Sequence, residues 1–261
     1  MARAFAAARA QGRAALVPYV TAGHPSPADT PAVLEMLAAE GADLIELGVP
    51  FSDPLADGPT IQRSSFRAIG AGVDLAWALE ALAEFRRGFD TPVVLFTYLN
   101  PVLHHGVARF LADAEAAGAD GVLLTDLPVG ADAAIERRFA ESPLDLIRLV
   151  APTTTPARVR EIARAARGFL YYVSRTGVTG AREALSAGLA REVAALRAVT
   201  AVPVAVGFGI STPEQAATVG RIADGVVVGS ALVERVERGG VEAGRDLVRQ
   251  LRRALDAVAA G

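Results

Sequence analysis

Short apolar runs rich in β-branched residues alternate along this chain with Ala- and Arg-rich segments of helical periodicity. The runs at residues 15–20, 44–47, 93–97, 121–125, 146–150, 169–173, 204–207 and 225–228 are predicted to be strands. Helices are predicted at residues 32–39, 75–86, 107–116, 131–139, 156–165, 189–198, 213–219 and 243–258. Strands that alternate with helices form parallel sheets covered by helices. Eight such units in 261 residues predict an α/β fold, a (β/α)8 TIM barrel.

The main rival architecture is an open, doubly wound sheet, but no Gly-rich dinucleotide fingerprint follows the first predicted strand. No linker or break in composition divides the chain, so residues 1–261 are expected to form a single domain. Residues 1–13 predict an extra N-terminal helix and lack the apolar segment of a secretory signal. No apolar stretch is long enough to span a membrane, and the net charge of -3 includes no basic run. We therefore expect a cytoplasmic protein that binds neither membranes nor nucleic acid.

The residue types that the chain lacks restrict its chemistry. The absence of cysteine excludes disulfides, thiolate nucleophiles and cysteine metal sites. The three histidines are His24, His104 and His105, and no metal-ligand cluster accompanies them. All 26 basic residues are arginine. Because arginine forms no Schiff base, a lysine-imine aldolase mechanism and a pyridoxal phosphate bound as an imine to this chain are both excluded.

One carboxylate interrupts the second apolar run. Glu46 lies in that run, which stops at Pro50, and a Pro- and Gly-rich loop then carries Asp53 and Asp57 before a helix predicted to begin near Thr60. Active sites of such barrels lie at the carboxyl ends of the strands, where two carboxylates can perform acid–base catalysis without a metal. The alternative is a solvated turn with ordinary aspartate caps. Against this alternative, Glu46 interrupts an otherwise buried run, and burying a lone carboxylate is costly.

Other polar side chains follow the predicted strands. They are Tyr19, Thr21, Thr97, Tyr98, Asn100, Thr125, Asp126, Thr153, Tyr171 and Ser174. Asn100 precedes a proline, which favours a turn. Asp126 is either a third active-site acid or a turn anchor, and both interpretations stay open. Tyr98 and Tyr171 are either site residues or core residues with a solvated tip.

Glycine-rich segments follow the last three predicted strands, at residues 177–180, 207–211 and 229–231. Barrels of this class often bind phosphate after strands seven and eight, at the N-terminus of a short helix. Ser230 supplies a hydroxyl donor there, just before a short helix predicted to open at Leu232. The alternative is a set of ordinary tight turns. We expect a small phosphorylated substrate, converted by Glu46 and Asp57.

Several segments together resemble the tryptophan synthase α subunit family. They are residues 17–23, 46–62, 126–128, 174–180, 207–211 and 228–231, in the family's order and over nearly the whole chain. The resemblance implies cleavage of indole-3-glycerol phosphate to indole and glyceraldehyde 3-phosphate, a retro-aldol reaction without imine or metal. It implies no cofactor on this chain. It also implies a β subunit that carries pyridoxal phosphate, receives indole and completes an αββα heterotetramer.

The resemblance also implies roles for individual residues. Glu46 matches the general acid/base, Asp57 the acid that binds the indole N–H, and Tyr171 the tyrosine near the catalytic glutamate. Residues matching the phosphate side or the closing loop are Thr179, Gly180, Phe208, Gly209, Gly229 and Ser230. Indole-pocket walls are expected at Tyr19, Tyr98, Leu99, Leu123 and Leu127.

The sequence departs from the family in two places. His24 stands where many relatives have an acid, and the loop at residues 181–188 is rich in alanine.

Two rival functions remain open. A sugar-phosphate isomerase or epimerase would share the predicted phosphate-binding loops but would leave Asp57 and the aromatic walls unexplained. A non-catalytic activator of a β subunit would not need both acids. The loops at residues 50–57 and 177–184 are expected to face the β subunit.

Overall fold

The computed structural model describes residues 1–174, 182–207 and 209–259, and only the backbone of residues 182–187. The strands are β1 (Ala15–Thr21), β2 (Ile45–Gly48), β3 (Val93–Thr97), β4 (Gly121–Leu124), β5 (Asp145–Val150), β6 (Leu170–Val173), β7 (Val204–Gly207) and β8 (Gly225–Val228). Each strand pairs in parallel with the next, and β8 closes the barrel against β1. The predicted (β/α)8 barrel is confirmed.

Helices surround the barrel. They are α1 (Ala2–Ala10), α2 (Thr30–Ala39), α3 (Pro59–Gly70), α4 (Leu75–Phe85), α5 (Leu99–His105), α6 (Val107–Ala116), α7 (Ala133–Glu141), α8 (Pro156–Ala165), α9 (Arg182–Arg197), α10 (Pro213–Gly220) and α11 (Ser230–Ala259). α11 is two helical segments joined at a kink at Gly239 and Gly240. Every predicted helix is present, and α5 was not predicted. Across the described residues, each helix is too short or too polar to cross a bilayer.

Side chains alternate between the two faces of each strand, so every strand contributes to two apolar layers. Residues such as Val17, Leu44, Val94 and Leu123 pack together inside the barrel. Their neighbours along the strands pack outward against the helices in a larger layer. Burial on both faces explains why these strands read as nearly continuous apolar runs in the sequence.

The extra N-terminal helix closes one end of the barrel. Phe5 and Ala8 of α1 belong to the inner apolar cluster and are almost completely buried. The ring of Phe5 lies 5.5 Å from that of Phe169, centroid to centroid. Gly225 opens β8 beneath Phe5, and a Cβ at Gly225 would lie 2.9 Å from the Phe5 ring. α1 therefore supplies the floor of the barrel.

Aspartates at the strand starts join neighbouring strands at this same end. Asp43, Asp120 and Asp224 accept the backbone N–H groups of Leu16, Val93 and Val204 at 2.8, 2.9 and 2.9 Å. Each also pairs with one or more arginines, drawn from Arg9, Arg13, Arg86, Arg197 and Arg252. The glycines at positions 41 and 118, just before the first two aspartates, have φ of +85° and +83°, as expected for helix C-caps.

Replacing Phe5 with alanine should destabilise the barrel strongly. Phe5 is 3% exposed, so its removal leaves a cavity under the inner layer. We expect the free energy of unfolding in urea to fall by about 3–5 kcal/mol. The matched control is Phe66→Ala, since Phe66 is 53% exposed and should change that free energy by no more than about 0.5 kcal/mol. Equal losses in the two variants would contradict the assignment of α1 as the floor.

Candidate active site

Glu46 is a buried carboxylate without a hydrogen-bonding partner. Its neighbours Ile45 and Leu47 pack in the outer layer, so Glu46 points into the barrel, beside its register partner Tyr19 on β1. Glu46 is 1% exposed, and neither carboxylate oxygen has a hydrogen-bond partner among the described residues. Burial raises the pKa of Glu46 from 4.5 to about 8. The carboxyl group therefore retains its proton at neutral pH.

Asp57 lies on the loop between β2 and α3 and is only partly buried. Burial raises the pKa of Asp57 to about 6, against a hydrogen bond from Tyr98 that lowers it. The N-cap of α3 is Gly58, with no side-chain cap, so neither loop aspartate caps this helix. Asp53 is exposed and accepts the hydroxyl of Ser52 at 2.7 Å. Of the two loop acids, Asp57 is the more buried.

Tyr98, at the end of β3, holds the loop that carries Asp57. Its hydroxyl oxygen accepts the N–H of Ala56 at 3.0 Å, and it hydrogen-bonds to the carboxylate of Asp57. Its ring packs against Phe51, with centroids 5.0 Å apart. A hydrogen bond from Thr125 also reaches the Tyr98 hydroxyl. One side chain thus contacts both the beginning and the end of the loop.

Gln62 is a second support of this loop that the sequence analysis did not single out. Its side-chain amide donates to the carbonyl oxygens of Asp57 at 2.9 Å and Pro54 at 3.4 Å. The sequence signal that could have found Gln62 is its place at the end of the segment that carries the family resemblance.

Two tyrosines from opposite sides of the barrel fit against glycines. The hydroxyl groups of Tyr19 and Tyr171 occupy the space that a Cβ would need at Gly48 and Gly207. Burial raises the pKa of both phenols, and the negative charges of Glu46 and Asp57 raise them further. Tyr171 therefore remains neutral beside both acids. The Tyr19 ring meets Phe96 edge-on at 5.3 Å.

Only part of the predicted phosphate-binding site lies among the residues that the structure describes. Gly229 and Ser230 lie where β8 passes into α11, and the Gly229 carbonyl accepts the N–H groups of Leu232 and Val233 at 2.9 and 3.1 Å. The helix thus begins at Ser230, two residues before the predicted start at Leu232. Gly209 has a φ of +75°, which favours glycine. The predicted residues Thr179, Gly180 and Phe208 lie outside the described residues.

The remaining predicted residues separate into different layers. Leu123 lies inside the barrel, whereas Leu127 packs in the outer layer.

The predicted residue Leu99 begins α5. Its N–H donates to Asp126 at 2.6 Å, so the exposed Asp126 anchors this helix. Asn100 lies in the first turn of α5. His24 is buried, and desolvation lowers its pKa.

Comparison with known proteins identifies relatives of this chain over nearly its whole length. A family model described as "Tryptophan synthase alpha chain" matches residues 5–259. The tryptophan synthase alpha chain of Geobacter sulfurreducens is 53% identical over 244 residues, 93% of this chain and 92% of that protein. That of Solibacter usitatus is 48% identical, over 98% of this chain and 97% of the relative.

The chain belongs to the tryptophan synthase alpha chain family. This is a lyase family acting on indole-3-glycerol phosphate in tryptophan biosynthesis. Among solved structures, the alpha subunit from Legionella pneumophila superimposes with a TM-score of 0.90 at 37% identity, covering 98% of this chain and 97% of that one. A Mycobacterium tuberculosis tryptophan synthase chain gives 0.89 at 39% identity, covering 97% and 96%. The family resemblance, predicted from motifs, is confirmed.

Replacing Glu46 with glutamine should change how stability depends on pH. The folded chain keeps the Glu46 proton up to about pH 8, whereas the unfolded chain loses it near 4.5. Between these values the folded state binds more protons, so its free energy of unfolding falls as pH rises. Glutamine cannot ionise. In this window the free energy of unfolding of Glu46→Gln should therefore rise relative to that of the wild type by up to roughly 1.4 kcal/mol per pH unit.

Urea denaturation of both proteins at pH 5, 6, 7 and 8 measures this difference. The exposed Asp53 provides the matched control, since Asp53→Asn should keep the wild-type pH dependence. A constant difference between Glu46→Gln and wild type across the series would show that Glu46 has no raised pKa in the folded chain.

Proposed function

We propose that this chain cleaves indole-3-glycerol phosphate to indole and glyceraldehyde 3-phosphate, with Glu46, Asp57 and Tyr171 as its catalytic residues. The observation that carries this proposal is a pair of carboxyl groups of unequal acidity at one end of the barrel. Burial without a partner gives Glu46 a pKa of about 8, and Asp57, hydrogen-bonded to Tyr98, has a pKa of about 6. Near pH 7 the pair therefore supplies one proton donor and one negative charge.

The first step is proton transfer from Glu46 to carbon C3 of the indole ring. Protonation at C3 places a positive charge on the ring nitrogen and makes the indole a leaving group. Asp57, ionised at neutral pH, accepts a hydrogen bond from that N–H group and stabilises the charge. Because the charge exists only along the reaction path, this interaction favours the transition state over bound substrate.

In the second step Glu46 takes up a new proton, from the glycerol part of the substrate. The Glu46 carboxylate accepts the proton of the glycerol hydroxyl, a carbonyl forms at that carbon, and the bond to C3 breaks. The bonding electrons pass to the indole ring and neutralise its nitrogen. The hydroxyl of Tyr171 lies close enough to Glu46 for the carboxylate charge to raise its pKa, so Tyr171 stays neutral and does not compete for the proton.

The substrate is proposed to lie between the two acids, Glu46 and Asp57, and the start of α11. Its indole walls would include Tyr19, Tyr98, Leu99, Leu123 and Leu127, and its phosphate contacts Thr179, Gly180, Phe208, Gly209, Gly229 and Ser230. The packing of Tyr19 against Gly229, 3.5 Å from an added Cβ, supports a short path between the acids and the phosphate end. Residues 1–261 are proposed to act as a single domain.

The partner is proposed to be a tryptophan synthase β subunit that carries pyridoxal phosphate, within a cytoplasmic αββα assembly. Leu55 supports this proposal, because it is 92% exposed at the tip of the loop that carries Asp57. Docking of a partner on this loop would remove the Leu55 side chain from water, which is favourable. Docking there would reach the catalytic loop directly. No cofactor or metal is proposed on this chain itself.

The direct test is indole release from indole-3-glycerol phosphate. Wild type should release indole, and Glu46→Gln or Asp57→Asn should reduce kcat by about 10²–10⁴-fold, because each removes a group that acts only along the reaction path. Asp53→Asn alters an exposed carboxylate of the same loop and should retain activity. Adding a β subunit should increase the rate of indole release by the wild type.

Retained indole release by Glu46→Gln would reject the proposed acid–base role. A folded wild type that releases no indole, with or without the β subunit, would reject the proposed reaction on this chain. Stimulation of the β subunit without indole release would instead support a non-catalytic activator.

The pH dependence of kcat/KM should be bell-shaped, with limbs near pH 6 and pH 8, because Asp57 must be ionised and Glu46 protonated. Tyr98→Phe removes the hydroxyl that lowers the pKa of Asp57, so the acid limb should move to higher pH. The alkaline limb should stay in place. Tyr172→Phe is the matched control, since its hydroxyl donates to Glu192 at 2.7 Å, outside the barrel. An unmoved acid limb in Tyr98→Phe would show that Tyr98 does not tune Asp57.

A further inference from the structure

A cavity of about 380 Å³ lies between the β4–α7 loop, the end of β5 and the start of α8. We name it the β5 cavity. Its apolar walls are Leu124, Leu127, Pro128, Val129, Ile147, Leu149 and Ile162, and its polar walls are Thr125, Arg148, Thr153, Thr154, Thr155 and Arg158. Leu127 is also a proposed indole-pocket wall, so the cavity adjoins the proposed active site, but none of the acids of that site lines it. Its volume is within the range of small-molecule sites.

Arg148 is an arginine buried on the outer face of β5, in a run that otherwise reads as apolar. Its side chain is 7% exposed. Its guanidinium donates to the carbonyl of Leu127 at 3.1 Å and pairs with Glu136 at 2.7 Å. Its Nε–H has no hydrogen-bond partner among the described residues. A buried donor without a partner is costly, and a ligand oxygen in the cavity would satisfy it.

A second guanidinium, that of Arg158, lines the same cavity. Burial lowers the pKa of Arg148, and repulsion from Arg158 contributes to this. Glu136, whose side chain is 16% exposed, compensates Arg148, and the exposed Glu161 pairs with Arg158 at 2.8 Å. Neither carboxylate lines the cavity, whose walls therefore present two guanidinium groups and no acid.

The start of α8 adds to this positive potential. α8 spans ten residues, and Thr155 is its N-cap, accepting the N–H of Arg158. A helix N-terminus carries a partial positive charge and favours a bound anion. Since Thr153, Thr154 and Thr155 all line the cavity, the helix N-terminus and the two arginines meet at one place.

We propose that the β5 cavity binds a small organic monocarboxylate. The carboxylate would lie between Arg148 and Arg158 at the N-terminus of α8, and the apolar body would pack against Ile147 and Ile162. A single negative charge is complementary to the two arginines, whose acidic partners lie outside the cavity lining, and the apolar walls select against inorganic anions. This site is separate from the proposed phosphate contacts, which follow β7 and β8.

The test is a ¹⁹F NMR titration of the full chain with 4-fluorobenzoate. We expect saturable binding by the wild type and at least about tenfold weaker binding by Arg158→Gln, which loses a charge-assisted hydrogen bond. The neutral probe 4-fluorobenzyl alcohol should bind at least about tenfold more weakly than the carboxylate. Glu161→Gln is the matched control, because it removes the surface partner of Arg158 and should keep or strengthen binding.

A second variant examines the buried arginine. Replacing Arg148 by methionine together with Glu136→Gln removes both members of the buried pair, so no uncompensated charge remains, and binding should again weaken. Thermal melts establish that each variant is folded. Absence of saturation, equal binding of the alcohol, unchanged affinity in Arg158→Gln, or displacement of the probe by indole would each overturn the proposal.

Discussion

The proposed chemistry of this barrel depends on a buried carboxyl group that has no hydrogen-bond partner among the described residues. Glu46 lies between two apolar residues of a strand whose other face is fully covered by helices, so its carboxyl group has no access to water. Ionisation in that position is unfavourable, and the proton is retained up to about pH 8. Such a group destabilises the folded chain near neutral pH. The packed floor formed by α1 and the aspartate–arginine pairs at the strand starts offset that cost.

Environment, rather than residue type, separates the roles of the two acids. Glu46 is held by a strand and accepts no hydrogen bond from the part of the chain that the structure describes, whereas Asp57 lies on a loop and is hydrogen-bonded to Tyr98. The difference of about two units between their pKa values keeps one protonated and the other ionised at the same pH. Tyr98 contributes twice, because it both positions the loop and lowers the pKa of Asp57. A rigid strand end thus controls a group on a loop.

The sequence predicted what depends on local pattern. Eight apolar runs and their helices predicted the barrel, which the structure confirms, and a carboxylate inside one run singled out Glu46, which the structure buries inside the barrel. Contacts between distant segments could not be predicted in this way. α5 is only seven residues long, and the carboxylate that anchors its first N–H, that of Asp126, comes from the following βα loop. Likewise, Arg148 interrupts an apolar run as Glu46 does, but only the structure shows that it faces outward toward Glu136.

The position of an acid along its strand decides whether it stabilises the fold or is left free to react. Asp43, Asp120 and Asp224 stand at strand starts, where each accepts a backbone N–H and pairs with arginine. These carboxylates are fully engaged and join neighbouring strands. Glu46 lies within β2 and faces the barrel interior, near Tyr19 and Tyr171, which cannot neutralise it. Because (β/α)8 barrels separate stability and catalysis between their two ends, a carboxylate at the strand starts gives a structural tie, whereas the one inside the barrel is the proposed proton donor.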